Sequence, residues 1–207
     1  MLTAFAVALA ARKVAKSFSI AKVDAQDGFT IPETVTLGVY SVYIDEDGMA
    51  HHTQIGEGSA LLLAASPSTN ETFNDVHEKR SASGDAVGPV KCNGQYLNHG
   101  WCDEAVADLR GQCGNGGNVS GNNHWYTVRG NVALLFCNTK GLFWLGGRDV
   151  TCKSSVTGDH LASITTKCGW YRGGWTEQKS WAGAGYHYNI GCHHVGCDKT
   201  FCGEGYA

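Results

Sequence analysis

The residues best able to do chemistry sit near the end of the chain. Cys192-His193-His194 and Cys197, with His187 before them and Cys202 after, have the residue types and spacing of a tetrahedral zinc set. Such a site needs thiolates, and cysteines in a cysteine-dense chain of an oxidising compartment form disulfides instead. The cluster is therefore assigned to disulfide formation, and no metal or cofactor is expected. A second concentration is aromatic: Trp170, Tyr171, Trp175, Trp181, Tyr186 and Tyr188, interleaved with glycines. Flat rings on a glycine-rich support bury much area at little entropic cost, which suits a protein target, a lipid headgroup interface or a sugar face. The competing expectation is that several of these rings fill the core. Hydrolytic chemistry would need a nucleophile with a base, or paired carboxylates. The candidates are His99, His124, His160, Asp149 and Asp159. Adjacent Asp159 and His160 diverge on a helix and make no dyad. A ribonuclease-like reading would need the fold to bring His124 and His160 together. No Gly-x-Ser-x-Gly, His-Glu-x-x-His or phosphate-loop pattern occurs, so no catalytic residue is assigned and the chain is read as a binding protein.

The elements that would position these groups change character at Lys79-Arg80. All nine cysteines and all six tryptophans follow that pair, and the segment before it is acidic. A dibasic pair at such a boundary matches a kexin-type processing site. The expected organisation is a signal peptide over 1–11, a pro-segment over 12–80 and a mature disulfide-rich domain over 81–207. The apolar opening MLTAFAVALAA is too short to span a membrane, and no other segment approaches the required length. Cysteine density and the sequons at Asn70 and Asn118 agree with secretion to the extracellular space. The nine cysteines are Cys92, Cys102, Cys113, Cys137, Cys152, Cys168, Cys192, Cys197 and Cys202. An odd number allows at most four bridges and leaves one sulfur available for a disulfide-linked dimer; the connectivity stays open. Ten basic against nine acidic residues after Arg80 give no basic stripe for nucleic acid.

Before the boundary, Val35 to Ile44 and His51 to Ile55 predict a hairpin turning at Asp45-Glu46-Asp47-Gly48. Residues 59–78 predict a polar tether, and the leader is expected to aid folding by covering part of the mature domain. After the boundary, Trp101 to Cys113 predicts a helix with Asp103 and Glu104 in its first turn. Gly114 to Asn123 predicts an irregular loop. Trp125 to Cys137 predicts one strand or a hairpin, with Val132, Leu134 and Phe136 on one face, and Leu142 to Leu145 a short partner. Asp159 to Cys168 predicts a second helix capped by Thr157 or Asp159, buried along Leu161, Ile164 and Cys168, and ended by Gly169. Strands near Trp170 to Trp175 and Tyr186 to Ile190 complete an α+β class: a disulfide-rich sandwich with two helices packed on an antiparallel sheet of four to five strands.

The order Cys102-Asp103-Glu104-Ala105, Trp125, Leu134-Leu135-Phe136-Cys137, Asp149-Val150, Ile164, Cys168-Gly169 and Gly191-Cys192 resembles the necrosis-inducing-factor domain of fungal secreted effectors. More distantly it is similar to the smut-virus killer toxins. The likeness covers residues 92 to 192 as a pattern of spacing; Cys168, Cys197, Cys202 and the aromatic tail depart from it. The resemblance implies a small α/β sandwich, secretion, and virulence or toxicity through a protein, channel or membrane of another cell. A cell-wall lectin and a small secreted hydrolase are the alternatives.

Overall fold

The computed structural model describes residues 17–20, 28–58, 87–121, 123–140, 149–179, 186–194 and 200–202. Two helices and a main sheet that is antiparallel throughout make the class α+β. Among the described residues three disulfides bind it together.

The centre of the sheet is written in Val132 to Cys137 (VALLFC), an apolar run with no polar alternation. Such a strand must be covered on both faces. Strands β7 (Asn123–Arg129) and β8 (Val132–Lys140) form a hairpin turning at Gly130, where φ is +52°. Val132, Leu134 and Phe136 join Trp125 in one buried cluster, while Ala133, Leu135 and Cys137 join Tyr126 and Val128 in another. The first face is closed by α1 (His99–Cys113), through Ala105, Leu109 and Cys113. Helix α2 (Ser154–Cys168) adds Val156 and Leu161 to the rim of that cluster.

The second face is closed by residues that precede the dibasic pair. The short strand β2 (Gly28–Phe29) and Ile31 lie over it, and β2 pairs with β12 (Phe201–Cys202), Phe201 opposite Phe29. The expected N-terminal hairpin forms as β3 (Gly38–Ile44) and β4 (Ala50–Gly56). Its turn is held by Asp45, whose Oδ1 accepts from the Met49 and Asp47 amides at 2.8 and 3.0 Å. Strand β1 (Ser17–Ile20) pairs with β4, and β3 pairs directly with β7. On the far side, β8 pairs with β11 (Tyr186–His194), then β10 (Arg172–Lys179), then β5 (Val87–Tyr96).

Five strands of the main sheet follow the dibasic pair, in keeping with the four to five expected. Three more precede it and extend the sheet to eight, in the order β1-β4-β3-β7-β8-β11-β10-β5. The segment before the dibasic pair thus builds the sheet as well as covering it. Two small sheets, β2 with β12 and β6 (Gly117–Val119) with β9 (Val150–Cys152), complete the described strands. The second of these corrects the expectation of an irregular loop over 114–123, because pairing with β9 supplies the partners that the local sequence lacks.

Both helices start earlier than expected. In α1 the cap is Asn98, whose Oδ1 accepts from the Trp101 amide at 3.1 Å, so Asp103 and Glu104 fall in the second turn. Helix α2 begins five residues before Asp159 with Lys153 at the cap position and no side-chain cap. Its buried residues are Thr157, His160 and Ile164, so neither Thr157 nor Asp159 caps it. Residues 59–86 and Leu142 to Leu145 lie outside the described residues.

Candidate functional site

Three elements converge where α2 hands over to β10. Only Gly169, Trp170 and Tyr171 separate Cys168 from Arg172, so the chain reverses sharply. Gly169 (φ +95°) and Tyr171 (φ +54°) both adopt left-handed backbone to do so. For a residue with a bulky side chain that conformation is strained, and such strain concentrates at functional sites. It is held in place by the Leu97 amide, which donates to the Tyr171 carbonyl at 2.8 Å. It is also held by the Tyr171 ring, which stacks on His99 at 3.9 Å between centroids and 15° between planes.

His99 and Asp103 stand four residues apart on α1 and so share a face. The Tyr171 hydroxyl donates to Asp103 Oδ2 at 3.2 Å. Partial burial, followed by the adjacent Asp103 carboxylate, raises the Tyr171 phenol above its ordinary range, which keeps it a donor. Tyr96, the last residue of β5, hydrogen-bonds through its hydroxyl to His99 Nε2. Arg172 lies opposite Tyr96 in the β5–β10 register and places its guanidinium 5.1 Å from the Tyr96 ring centre. Trp170 lies 6.0 Å from Tyr171 at 45°. Trp170 is 67% exposed and Tyr96 57%, the two most exposed large apolar side chains among the described residues. The result is a surface of aromatic rings with an imidazole, a carboxylate and a guanidinium among them. It can stack on a flat apolar ligand face while offering both hydrogen-bond donors and acceptors.

Of the six aromatic residues expected to form a binding face, the structure brings Trp170 and Tyr171 together. Trp175 lies further along β10, half-buried against His193 at 5.7 Å. Trp181 lies outside the described residues, as do the side chains of Tyr186 and Tyr188 on β11. Tyr96, Asp103 and Arg172 join the site unannounced. The only local signal was the i, i+4 spacing of His99 and Asp103; the strand pairing that adds Tyr96 and Arg172 is long-range.

The described hydrolase candidates disperse. His124 faces Phe29 on the sheet face opposite the helices, and His160 is buried on α2, so the His124–His160 pair is not assembled. Asp149 instead accepts from the Asn118 side chain at 2.9 Å and the Gly121 amide at 3.1 Å. Asn118 of the sequon is exposed, while Asn70 and the processing pair Lys79 and Arg80 fall outside the described residues.

The open question of connectivity is answered for six cysteines: Cys92–Cys168, Cys113–Cys152 and Cys137–Cys202. Cys202 is thereby removed from any zinc set, and His193 Nδ1 is engaged by the Asn93 side chain at 2.9 Å. Among the described residues no group of three or more His, Cys, Asp or Glu side chains is placed to hold a metal. No described helix is long and apolar enough to cross a membrane. No family model, no curated protein and no solved structure matches this chain.

Proposed function

We propose that this chain is a secreted effector or killer-toxin-like protein, matured by cleavage after Arg80, that acts by binding a target on another cell. The observation that carries this reading is the exposed Tyr96–His99–Tyr171–Trp170 surface, built around a strained tyrosine on a disulfide-bonded frame. A soluble domain gains nothing in stability by exposing a tryptophan and a tyrosine together. A binding face does gain, because rigid rings act as anchors. The three disulfides are compatible with an extracellular protein. The same surface favours a glycan as the second reading, since Asp103 and Arg172 would reach hydroxyls at the edge of a stacked sugar ring.

The test is binding of labelled protein to intact plant and fungal cells, comparing wild type with the Tyr96→Ala/Trp170→Ala variant. Loss of about tenfold or more in affinity, with the melting temperature unchanged, is the expected outcome for two anchor residues. Equal binding by both proteins would dismiss the surface as the binding face. Competition by soluble chitin or glucan oligomers would move the reading to the lectin.

A further inference from the structure

The segment before the dibasic pair is joined to the rest by fully buried contacts. Strand β3 pairs with β7 in unbroken register from Gly38 opposite Val128 to Tyr43 opposite Asn123. On the covered face Tyr40 stacks on Tyr126 with centroids 5.0 Å apart and planes 9° apart. Phe29 sits among His52, His124, Tyr126 and Phe201, at 5.7, 5.6, 5.7 and 6.3 Å. His52 Nδ1 hydrogen-bonds the Tyr126 hydroxyl at 3.1 Å. The contributing side chains are sealed from both sides: Phe29, Val42 and Tyr40 from the N-terminal segment, Tyr126, Val128 and Leu135 from the other, none more than 1% exposed.

Removing residues 17–58 would strip most of the cover from one face of β7 and β8, leaving β12 there, and turn β7 into an open edge. A long apolar edge strand of that kind pairs with whatever strand it meets. The segment also has a fixed place to dock, because Cys137–Cys202 ties β12, the partner of β2, to the central strand β8. The first 86 residues contain no cysteine, so no disulfide can hold the segment after a cut.

From this we infer that residues 17–58 are a permanent structural subunit: a cut at Lys79-Arg80 yields two chains that stay associated through β3–β7 and β2–β12 pairing. The mature protein is then a non-covalent two-chain molecule. The inference rests on the processing reading only for where the cut falls. A cleaved leader ordinarily departs, exposing what it covered; here it supplies five of the twelve buried residues of one of the two core clusters.

The experiment separates the two ideas. Digestion of the wild-type protein with a kexin-type protease reports whether Lys79-Arg80 is cut. Retention is read from a full-length variant in which residues 78–83 are replaced by the recognition sequence of a site-specific viral protease. After complete digestion, confirmed on a denaturing gel, it is passed over a size-exclusion column at pH 7.5 and measured by native mass spectrometry. The expected result is one peak containing both fragments at 1:1, which separates in 6 M guanidinium without reductant. Free N-terminal fragment overturns the inference, whether it forms a second peak or stays in solution above a precipitate of the larger fragment. A Val42→Asp change introduced alongside the engineered site is expected to convert one peak into two after the cut. If that variant fails to fold before digestion, the unsubstituted digest decides alone.

Discussion

At the scale of the residue, the most demanding group is Arg129. It is 4% exposed on the helix-facing side of β7, and its Nε donates to Asp108 Oδ2 at 2.6 Å. Glu104 lies 3.6 Å from its Nη1 at the rim. Gly58 closes over the guanidinium so tightly that a Cβ there would fall 2.3 Å from Nη2. A buried pair of this kind adds little net stability, but removing one partner strands the other charge away from water. Asp108→Asn is therefore expected to cost about 3–5 kcal/mol, measured as a shift in the urea midpoint at constant slope. Glu104→Gln, whose carboxylate is half-exposed, is expected to cost under about 1 kcal/mol in the same measurement. The strained Tyr171 gives a contrasting case. Tyr171→Gly would relieve the backbone at φ +54° while deleting the ring, so binding is expected to fall with little loss of stability.

At the scale of the element, the decisive pieces are those with no regular length of their own. Strand β2 is two residues long, yet Phe29 is fully buried and meets four rings. Phe29→Ala is expected to destabilise the protein by about 3–5 kcal/mol, the loss of transfer energy plus an unfilled cavity. Calorimetry on the variant would read this as a lowered melting temperature with a native-like far-ultraviolet spectrum. The β7–β8 turn is similarly specific: a Cβ at Gly130 would lie 2.2 Å from the Trp101 ring, and φ there is positive. That glycine lets α1 approach the hairpin and seat Trp101 over it.

At the scale of the whole molecule, two buried histidines place an acid limit on stability. His52 and His124 lie on β4 and β7, on either side of β3, both paired with Val42. Burial pulls the His124 imidazole down to about 4. Burial, and then the neighbouring charge of His51, does the same for His52. Because the folded values lie below the unfolded value near 6.5, the unfolded chain binds protons more readily between those limits. Stability is full above pH 6.5 and declines as pH falls towards 4, by about 2 kcal/mol per histidine at pH 5. His52→Gln/His124→Gln should flatten the dependence of the urea midpoint on pH between 4 and 6.5; a slope equal to that of wild type would remove these groups as its cause. The disulfides act in the opposite direction. Their loops of 39 to 76 residues lower the entropy of the unfolded chain by about 4 kcal/mol each.

The amino-acid sequence by itself determined the α+β class, both helices and the N-terminal hairpin, because each is signalled by local periodicity and turn chemistry; over Trp125 to Cys137 it specified extended structure and left one strand or a hairpin open. Asp45 to Gly48 could form little else but a turn, and Gly169 could only end a helix. The face of Val132, Leu134 and Phe136 was also legible, although not what would cover the opposite one. That was decided by tertiary structure alone, since β3–β7 pairing joins residues 80 to 90 apart and no local pattern encodes a register. The boundary at Lys79-Arg80 is conspicuous in composition, but the core runs across it because apolar faces are matched in space rather than along the chain. The candidate site was half legible for the same reason. Trp170 and Tyr171 stood out by type, whereas Tyr96, His99, Asp103 and Arg172 reach them only when β5, β10 and α1 meet.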